Sequence, residues 1–187
     1  YRDERWWKNL QRPDPEGARW SQPNRPRTNV DWYEAVAFCR WLSAQLGYEV
    51  RLPTEEEWER AARGRDGREY PWSSTYESGR ANIDETSSFA RVGEWNLGQT
   101  TAAGAYPHAA SSEGVLDLSG NIWEWCVNKF DDPQQIQADT SAQTRVLRGG
   151  SWLNTADLAR GAQRNWCSPV DRLDDNGFRV VSSAPIS

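Results

Sequence analysis

Histidine is almost missing: His108 stands alone in 187 residues. A site that needs several imidazoles, such as a three-histidine metal centre, cannot be built from this chain. Cysteine is sparse and odd in number, with Cys39, Cys126 and Cys167 far apart. That is no disulfide framework, and it points to reduced thiols in a cytoplasmic protein. There is no excess of basic residues: Lys+Arg number 22 against 27 Asp+Glu, a net charge of −5. General binding to nucleic acid or to an anionic membrane surface is thereby disfavoured. No apolar run is long enough to span a bilayer. No internal repeat or low-complexity linker divides the chain, so residues 1–187 are expected to form a single domain.

What is present is tryptophan, 12 residues in a chain that is only 37% hydrophobic. Large rings must then supply much of the core, in a loop-rich fold rather than a regular bundle. Prolines before Thr28 forbid a long helix there, leaving an irregular arm pinned by Trp6, Trp7 and Trp20. Asn29 to Leu46 has helical apolar spacing, with Asp31 and Glu34 placed as a capping box and Gly47 as the stop. Glu49 to Leu52 reads as a short strand. Thr54 and Glu57 form a second capping box for a helix that ends at Gly64, and Glu55-Glu56-Glu57 suit the positive end of its dipole. Residues 65–110 carry weak signals. Ile122 to Trp125 alternates as a strand after the Gly120-Asn121 turn, and residues 131–144 read as a surface loop.

The closing block, Arg145 to Val181, has two regular ends. Arg145-Val-Leu-Arg148 alternates before Gly149-Gly150, and Gly177 to Val181 reads as a short strand entered through glycine. Between them lies a stretch with no period of 2 or 3.6. The segments RVLRGGSW, GFRVV, DLSGNIWEWC (from Asp117) and RLPTEEEWERAARG (from Arg51) together resemble the formylglycine-generating enzyme (sulfatase-modifying factor) family. The likeness runs from about Trp6 to Val181. It implies an α+β, C-type lectin-like fold with two main helices, short strands and many loops. Family members carry a further strand and helix before this point, so an N-terminal segment is expected to be lacking.

The resemblance implies structural calcium at Asp117, Gly120, Ile122 and Glu124, two carboxylates and two carbonyls around one turn. Hard cations take such oxygen ligands. The alternative is that Asp117 and Glu124 bond the turn amides. A second calcium site would begin at Asn82 and Ile83, although Trp95 falls where an acid is expected. The family's oxidase chemistry uses a cysteine pair just after the RGGS segment to hold copper. Here Leu153 to Ala159 contains no cysteine, so no copper is expected and no catalysis of that kind.

Leu153 to Asn176 contains no Glu and no Lys, although Asp recurs at 157, 171, 174 and 175. An Asn codon AAC with its adenines freely replaced reaches many residues but not Glu, Lys, Gln, Met or Trp. Leu153, Asn154, Thr155, Leu158, Asn165, Cys167, Ser168, Asp171, Leu173, Asp174, Asp175 and Asn176 fit that set. Val170 is one adenine change from an Asp codon, and Trp166 one from an Arg codon. This pattern resembles the variable region of diversity-generating retroelement proteins. It implies a ligand-binding module whose exchangeable side chains, Asp157 among them, share one exposed face and meet a protein or other macromolecular partner. Trp166 would be the hot spot. Arg160, Gly161, Ala162, Arg164, Pro169 and Arg172 would be buried or bonded to hold the loop. The alternatives are a loop that lost its cysteines and drifted, an oxidase of the family's type, or a regulatory domain joined to an upstream effector.

Overall fold

The computed structural model describes residues 3–10, 20 and 22–183. Two helices, six short strands and three short 3-10 turns make up its regular structure, and loops make up the rest. This is the α+β, loop-rich architecture expected. Among the described residues no helix is long and apolar enough to cross a membrane.

Both helices start where their caps dictate. Helix α1 spans Trp32–Leu46, with a complete Asp31/Glu34 capping box and Gly47 closing it at φ +79°. Helix α2 spans Glu55–Arg63, with the Thr54/Glu57 box at its start. Strand β1 (Val50–Arg51) pairs with β6 (Val181–Ser182). The main sheet has the order β4-β3-β2-β5, from Arg164–Cys167, Arg145–Arg148, Trp123–Lys129 and Asn176–Gly177 respectively. Neighbours are antiparallel except β2 and β5.

Strand β2 is longer than its sequence signal and buried throughout. Its alternation separates two buried faces instead of a dry face and a wet one. Trp123, Trp125 and Val127 pack with Leu147 against α1. Cys126 packs with Val146 against Trp58 and Ala62 of α2. A sheet covered on both sides can place polar residues inside only if they are paired. Two of the core indoles find partners: Trp32 Nε1 bonds the Cys126 carbonyl at 2.9 Å and Trp125 Nε1 that of Val30 at 3.1 Å.

Strand β3 departs furthest from expectation, because both of its arginines are fully buried. Arg145 lies 4.0 Å from the Trp32 ring centroid and pairs with Asp139. Arg148 reaches Glu59 at 2.8 Å, Glu55 at 3.3 Å and the Gly161 carbonyl at 2.7 Å. Glu55 is therefore more than a dipole partner, since it is buried and also binds Arg164 at 2.6 Å. The C-terminal strand signal divides in two: Asn176–Gly177 joins the main sheet, and Val181–Ser182 closes the small one.

Glu55→Gln would leave Arg148 buried with half its compensation, a change that costs about 3–5 kcal/mol. Urea unfolding should show that loss, with a smaller one for the more exposed Glu59→Gln. Equal midpoints for Glu55→Gln and the parent would contradict the network. Burial raises the Asp31 carboxyl from 3.8 to about 6. A raised folded pKa means the folded state holds the proton longer, so stability from this group is present below 3.8 and lost as pH rises through about 6. Asp31→Asn keeps the cap acceptor and should flatten the stability profile across that window in pH-dependent melts.

Candidate functional site

The irregular stretch after Gly150 is built on backbone contact. Gly149 and Gly150 have φ of +101° and +74°, and a Cβ at Gly150 would sit 2.9 Å from both the Ala159 Cα and the Leu158 carbonyl. Only glycine lets the 3-10 turn Ala156–Ala159 lie that close to the strand end. Gly161 donates to the Glu69 carbonyl at 2.7 Å and accepts from Arg148. The chain then enters β4, a strand that the sequence pattern did not reveal. Arg164 is tied to Glu55, and the first turn of α1 holds the far loop. There the Trp32 amide bonds the Pro169 carbonyl at 3.1 Å, and Arg172 lies 3.2 Å from Glu34. Arg160 bonds the Asp157 carbonyl at 3.0 Å. Of the residues expected to hold the loop, Ala162 and Arg164 are exposed; Arg164 is held by Glu55, and Ala162 serves through its carbonyl, which accepts from Arg148 at 3.1 Å.

The candidate binding residues fall into three groups. Leu153, Trp166, Val170 and Leu173 are exposed at 53, 55, 49 and 47%, and Asp157 is exposed as well. Asn154, Thr155, Leu158, Asn165, Cys167, Ser168, Asp171 and Asp174 are half-buried. Several of these shape the loop: Asn154 Oδ1 accepts from the Ser151 amide at 2.9 Å, and Asp171 Oδ2 from the Ser168 amide at 3.2 Å. Asp175 and Asn176 are buried. Asp175 accepts from the Ser151 hydroxyl at 2.8 Å, and Asn176 is part of β5, so both belong to the scaffold and not to an exchangeable surface.

The expectation of one shared face also needs correction. Alternation along β4 sends Trp166 to the α2 side, 6.5 Å from Phe130. It sends Cys167 to the opposite side, where it packs against the α1 core. Asn165 lies on that same side. The exposed side chains therefore rim the strand and its flanking loops.

The residues expected to hold calcium have another use. The Glu124 carboxylate, 4% exposed, accepts from Trp58 Nε1 at 2.6 Å. Both of its oxygens also accept from the Arg179 guanidinium, through Nε and, at 2.7 Å, through Nη2. The same guanidinium bonds the Leu116 and Asp117 carbonyls at 3.2 and 2.9 Å. Asp117 Oδ2 accepts from the Gly104 amide at 2.7 Å, and the Gly120 carbonyl from the Ile122 amide at 3.0 Å. Of the expected ligands, the Glu124 carboxylate meets this internal cation, while the Asp117 carboxylate and the Gly120 carbonyl accept from backbone amides. At the second position Asn82 binds inward: its Nδ2 donates to the Gln99 carbonyl and to Asn121 Oδ1, and its carbonyl accepts from the Asn121 amide. Ile83 is core. Arg179 was the residue missed here, because its partner lies 55 residues earlier and no local pattern links them.

The three cysteines are free and separate. Burial pushes the Cys39 thiol up to about 12. It pushes Cys126 well above its ordinary value. Burial and then the Asp171 hydrogen bond bring Cys167 to about 12. All three are held as thiols at neutral pH, whereas a soft metal or a nucleophilic step needs thiolate.

Residues 3–184 match the family described as the Sulfatase-modifying factor enzyme 1-like domain. The chain belongs to that family. This sulfatase-modifying factor domain is 33% identical over 198 residues to the Inactive C-alpha-formylglycine-generating enzyme 2 of Bos taurus, covering 96% of this chain and 59% of that protein. It is also 33% identical over 202 residues to the Formylglycine-generating enzyme of Streptomyces coelicolor, covering 97% and 62%. It thus spans about three-fifths of the length of either relative, one named inactive and one named for its activity. Overall identity therefore does not separate catalyst from non-catalyst. Among solved structures it is similar to Treponema denticola variable protein 1, with a TM-score of 0.70 and 25% identity over 95% of this chain and 78% of that one.

If Arg179 is the resident cation of the Glu124 site, Arg179→Met should lower the melting temperature sharply by leaving a buried carboxylate unpaired. A strong chelator should leave the parent protein's midpoint unchanged. A chelator-sensitive midpoint, with calcium found by elemental analysis, would restore the calcium site.

Proposed function

We propose that this domain is a non-catalytic ligand-binding module, a variable protein diversified by a retroelement, that meets a protein or other macromolecular ligand with side chains around β4. One observation carries the reading. Leu153, Asp157, Trp166, Val170 and Leu173 point outward from a backbone that other residues hold in place. Folding tolerates exchange at such positions, since exposed substitutions cost within about 0.5 kcal/mol each. The codon pattern of the same stretch and the likeness to the Treponema variable protein support it. The absence of cysteine from 153–159 weighs against the family's oxidase chemistry. Trp166 is the natural anchor, a large ring with an open face beside Phe130 and Arg164.

Changing Leu153, Asp157, Trp166, Val170 and Leu173 together to Ser should leave a cooperative thermal transition within a few degrees of the parent. Trp125→Ala should cost about 3–5 kcal/mol. The source genome should hold a near-copy of the segment encoding 145–181, beside a reverse transcriptase gene, differing at template adenines. A solitary gene, or conversion of a cysteine-containing sulfatase peptide to formylglycine in the presence of copper, would sink the reading.

A further inference from the structure

Away from β4, the loop from Asp84 to Gly98 brings Phe89, Val92, Trp95 and Leu97 to the surface, exposed at 98, 41, 61 and 46%. Its anchor is Glu85, which is fully buried. Glu85 Oε1 accepts from the Tyr76 hydroxyl and the Gly79 amide, both at 2.7 Å. Oε2 accepts from the Ser78 hydroxyl at 2.6 Å and the Trp95 amide at 3.4 Å. All four donors are neutral, and among the described residues no basic side chain forms an ion pair with this carboxylate. Burial works to raise its pKa, but the hydrogen bonds outweigh burial and hold it below the ordinary value. The result is a full negative charge inside the protein with no cation to answer it.

Beside that charge lies a cleft of about 290 Å³ lined by Gly79, Ala81, Trp95, Leu97 and Tyr106. Gly79 and Trp95, two of its lining residues, are also Glu85 donors. Tyr106 is close enough that, after burial, the Glu85 charge helps raise its pKa. The charges next to the lining residues in sequence are paired with each other: Arg80 with Glu77 at 2.7 Å and Arg91 with Glu94 at 3.3 Å. Aromatic faces attract cations. A buried charge acts over a longer reach than an exposed one, because little water screens it. Indole, phenol and carboxylate thus all favour a positive guest.

The lining also decides which kind of cation. The Glu85 oxygens already accept two hydrogen bonds each, so a primary ammonium or a guanidinium would give up water and find no acceptor for its N–H groups. A quaternary ammonium has no N–H to satisfy, and its methyl groups can rest on Leu97, Ala81 and the two rings. We propose that the Trp95–Tyr106 cleft is a binding site for an alkylated ammonium head group, carried by a small molecule or by a methylated lysine. This site is independent of the β4 surface, and either reading can fail without the other.

The test is titration of the folded domain followed by the Trp95 indole N–H signal in a proton–nitrogen correlation spectrum, identified by its loss in Trp95→Leu. The probes are choline, its neutral isostere 3,3-dimethylbutan-1-ol, n-butylammonium and N-acetyl-trimethyllysine methylamide. Choline or the trimethyllysine derivative should bind roughly tenfold tighter than the isostere and than n-butylammonium. The tighter of the two names the source. Glu85→Gln should erase the preference for charge while leaving isostere binding unchanged. Should Glu85→Gln disturb the loop, Tyr106→Leu keeps a carbon wall and must still remove the preference. Equal affinity for choline and its isostere, or a choline response that survives both variants, would overturn the proposal.

Discussion

Arg148 is the interaction on which the rest depends. Its guanidinium is fully buried between the main sheet and α2, where Glu55, Glu59 and the carbonyls of Gly161 and Ala162 meet it. A charge taken out of water is tolerable only when it is paired. Pairing both terminal nitrogens of Arg148 fixes how α2 lies on the sheet and where the chain must return after its excursion past Gly150. Trp58 adds its ring at 5.3 Å, and the same indole donates to Glu124. Helix, strand and loop are thereby placed by one polar knot, which leaves the exposed side chains around β4 little share in folding.

That division of labour is what the proposed binding function requires of the family scaffold. The glycine pair, the buried arginines and the paired indoles shape the backbone. The residues around β4 that reach solvent add little to it. Fold alone does not carry function, and the site proposed here is a matter of which side chains the scaffold leaves unused. The Glu85 cradle repeats the principle on a smaller scale, with a loop organised from beneath so that its upper face is open.

Legibility in the sequence followed the range of the interaction. Both helices were readable because Asp31/Glu34 and Thr54/Glu57 act within four residues. The trace of β2 was readable in type but not in extent, because both of its faces are covered and polar residues such as Asn128 are buried by distant partners. Strand β4 was invisible: RNWC alternates a paired arginine and a tryptophan on one side with half-buried small residues on the other, so no apolar period exists. The composition of 153–176 took in the exposed positions together with more half-buried ones, and it also took in buried Asn176 and Asp175, whose role depends on Ser151, 24 residues away. The Glu124–Arg179 pair and the Glu85 cradle failed to show for the same reason. A carboxylate in a sequence looks alike whether it awaits a metal, a guanidinium or a ring of amides.

Strand β4 lies at the end of its sheet, and its own neighbours close it: the Trp166 amide bonds Asn165 Oδ1 at 2.9 Å, and the Arg164 carbonyl accepts from Gln163 Nε2 at 3.2 Å. An open strand edge invites pairing with another chain. Asn165 is one of the positions at which exchange is proposed, whereas Gln163 lies outside the exchangeable set. Each new residue at 165 therefore decides whether half of this latch survives. Under the proposed function, the usable repertoire would be limited by solubility as well as by affinity: some variants would be lost to self-association before they ever met a ligand.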